Sequence, residues 1–582
     1  MIAPVADPAY VLEERGRVAL VAAFGLAPGE ADPVVRRSPP DREADYQANA
    51  ALALSKKLKL KPAEVAEKFV AALDVEDLCE SVEIAGPGFV NFRLRADALG
   101  RLLEDDERLG TRKQEQRTIV IDYSHPNVAK EMNVAHLRST IIGDALVRVH
   151  QFLGHRIVRH NHIGDWGTQF GMLIEHILDI GEGETAQELS VGELDGFYKA
   201  ANAKFNADPE FADRARTRVV TMQSGDAETL RLWRLLVEES ARYFRAVYER
   251  LGVTLTDNDL VGESFYNPWL DDVANELEAK GLARIDDGAL CAFPPGFTGR
   301  EGNPLPLIVR KSDGGYGYQA TDLAAVRHRI ADVGADRLFY VVDAGQGQHH
   351  LPMVFAVAES AGWMERGQAE LVKFGFVLGP DGQRLRSRRG ESVKLVELLD
   401  EAVERAAAVV AEKSPDLSEQ EAAAVARAVG IGAVKYSDLS NDRVKDYVFD
   451  WDRMLAMDGN TGPYMQYAIA RIRSIFRRAE LDGGGAIEGP VLVTEPAERE
   501  LALALLSLEE AVVSTAKHLQ SHRLCTYLFD LASTFTTFYE QCPVLRAESE
   551  EQRASRLRLC DLTARTLTLG LDLLGIESPQ RM

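Results

Sequence analysis

Cysteine is scarce in this chain. Its 582 residues contain five, Cys79, Cys291, Cys525, Cys542 and Cys560, odd in number and nowhere in a CxxC spacing. That pattern excludes a disulfide framework and offers no zinc site, so buried free thiols are expected. No apolar run reaches the roughly 18 residues that a membrane-spanning helix needs. The opening residues, MIAPVADPAY, lack the basic-then-apolar layout of a secretory leader. A cytoplasmic protein without membrane association is the expectation. Positive charge is in deficit as well: 67 Lys and Arg against 90 Asp and Glu leave a net charge of −23. Such a chain has no general attraction to a phosphate backbone, and a nucleic-acid partner requires basic residues gathered on one face. The P-loop pattern GxxxxGK[ST] is absent, as are internal repeats and low-complexity tracts.

What is present is an ordinary globular composition, 46% hydrophobic and 27% charged, in a length that suits three or four domains. The most informative stretch is residues 117–173. Ile119-Val120-Ile121 reads as a buried strand. A polar turn from Asp122 to Met132 follows, broken by Pro126. A helical period begins at His136, with Leu137, Ile141, Ala145 and Val149 on one face and Gly154 as C-cap. Ile157-Val158 is a second strand. Such a strand–loop–helix–strand unit builds a parallel sheet and presents a loop and a helix N-terminus to an anion. Lys130 and His136 stand there as donors, with Ser124 and Asn127 as polar orienters, so phosphate binding is the natural reading; a structural loop whose polar residues only cap the helix is the alternative.

The rest of the chain divides around that unit. Residues 1–110 read as a separate α/β domain, helical from Ala3 to Gly25 and ending in a strand from Gly86 to Phe92; Phe89 and Phe92 suit a core or a surface equally. Residues 111–400 form the α/β domain, interrupted at about 174–260 by a helical insertion in which Glu228 to Leu251 is one long amphipathic helix. Leu338–Val342 and Leu371–Leu378 are further strands. Residues 401–455 are a helical linker and 456–582 a helical bundle. A helix starting near Leu323 would make Asp322 its N-cap. If the preceding segment is itself helical, Tyr318 and Asp322, four apart, share a face. Arg471, Arg473, Arg477 and Arg478 crowd one bundle helix close to Tyr464 and Tyr467, which offer stacking surfaces for splayed bases.

Three runs in order, Pro126-Asn127-Val128-Ala129-Lys130, Asn133 through Asp144, and Asn161-His162-Ile163-Gly164-Asp165-Trp166-Gly167-Thr168-Gln169-Phe170-Gly171, closely resemble the arginyl-tRNA synthetases, a class I aminoacyl-tRNA synthetase family. The likeness extends from the N-terminal domain to Leu574-Gly575-Ile576-Glu577. It implies an α/β fold: a Rossmann-like parallel-sheet catalytic domain, an α/β N-terminal domain touching the corner of tRNA, and an all-α C-terminal bundle for the anticodon. It implies ligation of L-arginine to tRNA(Arg), with ATP as substrate and Mg²⁺ accompanying it, through an arginyl-adenylate formed only with tRNA present and transfer to the terminal 2′-hydroxyl. A monomer is expected. By the same resemblance Lys130, Asn133, His136 and Arg386 are catalytic. Asn133, Ala135, His136, Gly164, Asp165 and Arg386 meet ATP. Ser124, Asn127, Glu263, Tyr318, Asp322 and Gln346 meet arginine, whose guanidinium stays protonated and calls for carboxylates. Phe89, Asn91, Tyr464, Arg473 and Arg477 meet tRNA.

Two departures stand out. The family signature His-(Ile/Val)-Gly-His reads Asn133-Val134-Ala135-His136, which removes one potential charge and adds a methyl where ligands approach backbone. The Lys-Met-Ser-Lys-Ser loop is replaced by Arg384-Leu385-Arg386-Ser387-Arg388-Arg389-Gly390, a planar fork where a point charge is usual. The resemblance allows for such degenerate loops, with Lys130 compensating. These changes keep a second reading open, a catalytically weakened paralogue that binds tRNA or arginine.

Overall fold

A computed structural model describes residues 7–38, 43–104, 107–167, 169–181, 194–299, 302–345, 349–385, 393–481, 487 and 489–582. The first unit packs helix α1 (Pro8–Phe24) on a four-stranded antiparallel sheet of β1 (Val35–Arg37), β2 (Tyr46–Ala48), β3 (Cys79–Ala85) and β4 (Phe89–Leu94), in the order β1-β2-β4-β3. In β4, Val90, Phe92 and Leu94 are buried, so Phe92 is core while Phe89 and Asn91 face outward.

The central sheet is parallel, in the order β11-β10-β5-β6, built from β5 (Thr118–Asp122), β6 (Arg156–His160), β10 (Arg337–Asp343) and β11 (Ala369–Phe374). Between β6 and β10 lies a small antiparallel sheet of β7 (Ala283–Asp286), β8 (Ala289–Ala292) and β9 (Leu307–Arg310). Helix α2 (Val134–Phe152) joins β5 to β6. The insertion that follows β6 contains α3 (Leu194–Ala207) and α4 (Ala227–Leu251). Helix α5 (Tyr318–Ala331) precedes β10, and α6 (His350–Ser360) joins β10 to β11. From the β5–β10 pair the chain thus winds outward both ways, and the crevice at the carboxyl ends of these strands is the switch point where doubly wound sheets bind ligands. Strand alternation sends Ile119 and Ile121 into the core with Leu137 and Ile141 of α2. Val120 goes to the opposite core, with Val354 and Val357 of α6.

Beyond β11 a short strand, β12 (Val377–Leu378), pairs in parallel with β13 (Tyr447–Val448). Helices α7 (Leu395–Lys413) and α8 (Glu419–Leu439) lie between them. The bundle proper begins with α9 (Gly462–Arg478) and closes with α10 (Glu550–Leu573). Helix α8 is tied to α2 by a buried ion pair and to the segments beside α2 by a buried lysine. Arg138 pairs with Asp438 at 2.9 Å. Lys435 donates to the Leu251 carbonyl at 2.8 Å and to that of Gly575, beside Asp144.

Four local expectations change. Helix α2 begins at Val134, not His136, because the Asn133 side chain caps it. Its end is capped at Leu153, and Gly154 follows with φ +97°. Asp322 lies inside α5 rather than at its N-cap, since that helix starts at Tyr318. Leu371–Leu378 is two strands, β11 and β12, not one. All five cysteines are buried and free, as composition suggested. Among the described residues no helix is long and apolar enough to cross a membrane.

Candidate active site

The loop after β5 carries three non-glycine residues in the left-handed region, Ser124 (φ 81°), His125 (φ 54°) and Ala129 (φ 59°). Such backbone persists only where its surroundings impose it. Here the insertion does so. From the buried face of α4, Ser240 Oγ accepts the Ala129 N–H at 2.9 Å and Tyr243 OH accepts that of Met132 at 3.1 Å. Tyr248 OH lies 2.8 Å from Ser124 Oγ and accepts from Asn161 Nδ2 at 2.8 Å. Ser124 is therefore 2% exposed, with its hydroxyl engaged by Tyr248 and Thr140. Asn127 is exposed, and its Oδ1 leaves no space for a side chain at Gly164, where a Cβ would stand 2.5 Å from it.

At the tip of α2, Asn133 Oδ1 accepts the Ala135 N–H at 3.0 Å, and His136 Nδ1 accepts the Asn133 N–H at 3.1 Å. That bond places the imidazole proton on Nε2, leaving a free donor. Burial, then the neighbouring charge of His125, outweighs the pull of the Asn133 backbone and brings His136 down to about 4. At neutral pH it is a donor and not a cation. Ala135 is exposed beside it. The Lys130 ammonium sits 4.2 Å from the centroid of the Tyr198 ring, on α3.

Across the crevice two acids converge. Glu263 opens a short 3₁₀ turn (Glu263–Trp269), with its N–H donated to the Ile163 carbonyl at 3.2 Å. The turn is braced by Asp165, which accepts the Ser264 N–H at 2.9 Å and its hydroxyl at 2.6 Å. Asp165 is 4% exposed and lies behind Glu263. The carboxylate crowds the Gly262 Cα so closely that no Cβ fits there. Asp322 projects from α5 one turn after Tyr318. His350 Nε2 lies 2.5 Å from its Oδ2, and His162 Nε2 lies 4.0 Å from its Oδ1. The Tyr318 ring stands 4.8 Å from that of His350. Burial, then the negative charges of Asp322 and Asp165, lifts Glu263 to about 8. Beneath them Arg329 is spent on Asp122 at 2.7 Å, fully buried. Among the described residues neither Glu263 nor Asp322 has a Lys or Arg partner. A cavity of about 450 Å³ adjoins them, lined by Glu263, Tyr318, Trp166, Lys311 and Thr321. Gln346 and Arg386 lie outside the described residues.

The outer face of β4 presents half-exposed Phe89 and Asn91, with Asn91 Oδ1 accepting from Gln47 Nε2 at 2.8 Å. On α9, Tyr464 is half-buried with its ring 6.0 Å from that of Phe529, whereas Tyr467 is 42% exposed. Arg473, nine residues after Tyr464, falls on the opposite face of the helix. It donates to the Pro579 carbonyl at 2.8 Å and, with Arg477, lines a cavity of about 700 Å³ beside Phe152, Asp561 and Asp572. The two arginines and the two tyrosines do not form one patch. Sequence reasoning missed Ser240, Tyr243 and Tyr248. Their signal was polar groups on the otherwise apolar stripe of a long amphipathic helix.

The domains that carry this crevice match known families. Residues 98–451 match the model for the class I tRNA synthetase (R) catalytic domain. Residues 465–582 match the DALR anticodon binding domain, and 12–94 the arginyl tRNA synthetase N-terminal domain. The class is therefore that of the class I synthetases. Arginine–tRNA ligase of Thermobifida fusca is 57% identical, over 99% of this chain and 100% of its own length. That of Escherichia coli is 49% identical, over 98% and 99%. Among solved structures, Plasmodium falciparum arginyl-tRNA synthetase superposes with a TM-score of 0.82 at 29% identity, covering 99% of both chains. The Thermus thermophilus arginyl-tRNA synthetase gives 0.80 at 28%, covering 99% and 100%. The chain belongs to the arginyl-tRNA synthetase family.

Proposed function

We propose that the protein joins L-arginine to tRNA(Arg) at the expense of ATP. The observation that carries the reading is the acid pair, Glu263 and Asp322, near enough to feel each other's charge and without a Lys or Arg partner among the described residues. A guanidinium, permanently charged and bidentate, completes that pair. With arginine so anchored, Tyr318 flanks its side chain, while Asn127 and the backbone about Ser124 receive its α-amino end; Gln346 is assigned there by resemblance. The triphosphate lies at the tip of α2, with the dipole of the helix, His136 Nε2–H and Lys130 attracting it. The arginine carboxylate attacks the α-phosphorus, the bond to the bridging oxygen breaks, and pyrophosphate leaves. Charge gathers on phosphate oxygens, so the protein's contribution is placement and electrostatics. In the second step the terminal 2′-hydroxyl of tRNA attacks the carbonyl of the adenylate and AMP departs. Arg386, from the loop after β12, is assigned to the phosphates by resemblance.

Mg²⁺ accompanies the triphosphate in this reading. Among the described residues no group of three or more His, Cys, Asp or Glu side chains could hold a metal ion, so no step is assigned to it. Phe89 and Asn91 are proposed for the corner of tRNA. For the anticodon, exposed Tyr467 with Arg471 suits stacking better than Tyr464, and Arg473 and Arg477 meet tRNA on another face. A single chain in the cytoplasm is the proposed working unit.

Arginine-dependent pyrophosphate exchange, run with and without tRNA, tests the proposal. Exchange that requires both arginine and tRNA is expected. Binding of tRNA with no exchange under either condition would replace it with the weakened-paralogue reading, for which Asn133 and Ala135 are the motivating residues.

A further inference from the structure

We propose that Tyr198 is a positioning residue for Lys130: the ring supplied by the helical insertion holds the lysine ammonium at the mouth of the phosphate loop in readiness for ATP. The inference rests on the assignment of Lys130 to the triphosphate. The backbone on either side of Lys130 is pinned, at Ala129 by Ser240 and at Met132 by Tyr243, with bonds of 2.9 and 3.1 Å. What remains free is the four-carbon stem, whose end has several rotatable bonds to order. Its Nζ lies 4.2 Å from the Tyr198 centroid, inside the range of a cation–π contact.

The choice of an aromatic face has a chemical consequence. A carboxylate would also hold the ammonium, but it would neutralise the charge an incoming phosphate needs. The nearest acid in sequence, Glu131, is turned to Lys394 at 2.8 Å. Among the described residues Lys130 has no carboxylate partner. The ring attracts the cation through its quadrupole and leaves its net charge intact. A triphosphate, far more negative than a ring face, then receives a cation already delivered and already ordered, which lowers the entropy lost on binding. Tyr198 belongs to α3, and the loop anchors Ser240 and Tyr243 belong to α4, so the insertion forms one wall of the phosphate site.

A double-mutant cycle tests this, with kinetics of arginine-dependent pyrophosphate exchange measured in the presence of tRNA. Tyr198→Leu keeps an apolar body and removes the ring. It is expected to lower kcat/KM for ATP by about 3- to 30-fold while leaving KM for arginine within about twofold. Tyr198→Phe, which keeps the ring face, restores most of the loss. Lys130→Ala costs more than Tyr198→Leu, and the double variant is no slower than Lys130→Ala alone, because the ring then has nothing to hold. Losses that add in the double variant, equal losses for Leu and Phe, or a matching rise in KM for arginine would each overturn the inference. Flat kinetics for Lys130→Ala would remove Lys130 from the triphosphate, and the inference with it. A thermal melt of each variant separates these outcomes from general unfolding.

Discussion

At Glu263, burial and the charges of Asp322 and Asp165 lift the carboxyl to about 8. At neutral pH this carboxyl therefore keeps a proton, and in the proposed function guanidinium binding has to expel it. Below that pKa, KM for arginine should fall by about tenfold for each unit of rising pH and level off above it. In Glu263→Gln the slope should vanish and KM stay high; an unchanged slope would place the titrating group elsewhere. The same shift acts on stability. An acid whose folded pKa exceeds its unfolded value of 4.5 stabilises the fold below 4.5 relative to high pH, and that benefit is lost as pH climbs to about 8. Glu263→Gln should thus melt higher than the parent at pH 8 and level with it near pH 4. Asp322→Ala should raise KM for arginine by about 100-fold or more with little change in KM for ATP. The family pattern singled out both acids for a guanidinium, and the structure sets them close enough for the charge of Asp322 to act on Glu263. That His350 holds one oxygen of Asp322 was not legible in the sequence, since a lone histidine carries no sign of what it faces. Asp165, grouped with ATP by its motif, turns out to brace the Glu263 turn, a role visible only once Ser264 and Gly262 are brought against it.

At the scale of elements, the signature helix explains part of its own departure. Asparagine is among the best N-caps, and Asn133 uses its side chain for that bond. The double change Asn133→His with Ala135→Gly should strengthen ATP use, read as a lower KM for ATP in pyrophosphate exchange. It should also lower stability by about 1 to 2 kcal/mol, from the lost cap and from glycine inside a first turn, read by a thermal melt. If ATP kinetics do not move, the exposed position of Ala135 is the reason and the departure is neutral. Periodicity gave the strand, turn and helix of residues 117–173 with an error of two residues at the helix start, because the cap is set by a side-chain bond and not by the apolar pattern. The left-handed residues Ser124, His125 and Ala129 left no mark in composition. Ser124 and Ala129 are held by hydroxyls from α4, more than a hundred residues downstream, and His125 by Asn161.

At the scale of the whole molecule, long-range polar contacts hold the units together. Arg499 reaches Asp45 of the first domain at 3.0 Å, and Arg112 pairs with Glu509 at 2.8 Å. The buried junction of α2 and α8 matters most for the site, since Arg138 lies two residues after His136 on the same helix. Lys435→Met should lower stability by about 3 kcal/mol, as it strands two buried carbonyls without their donor. The check is the thermal midpoint; a midpoint within experimental error of the parent would mean the junction is held by packing alone. None of this was readable beforehand. The domain succession followed from composition and pattern, but which surfaces meet depends on contacts between residues hundreds of positions apart. The basic groups on α9, by contrast, were legible in the sequence despite the net charge of −23.

In the proposed function the paired acids also couple the docking of arginine to the release of a proton. Each arginine that docks near pH 7 drives close to one hydrogen ion into solvent, and each departure takes one back. Titration calorimetry of arginine in buffers with different ionisation heats should then report different apparent enthalpies for the same binding event, with the slope counting the ions released.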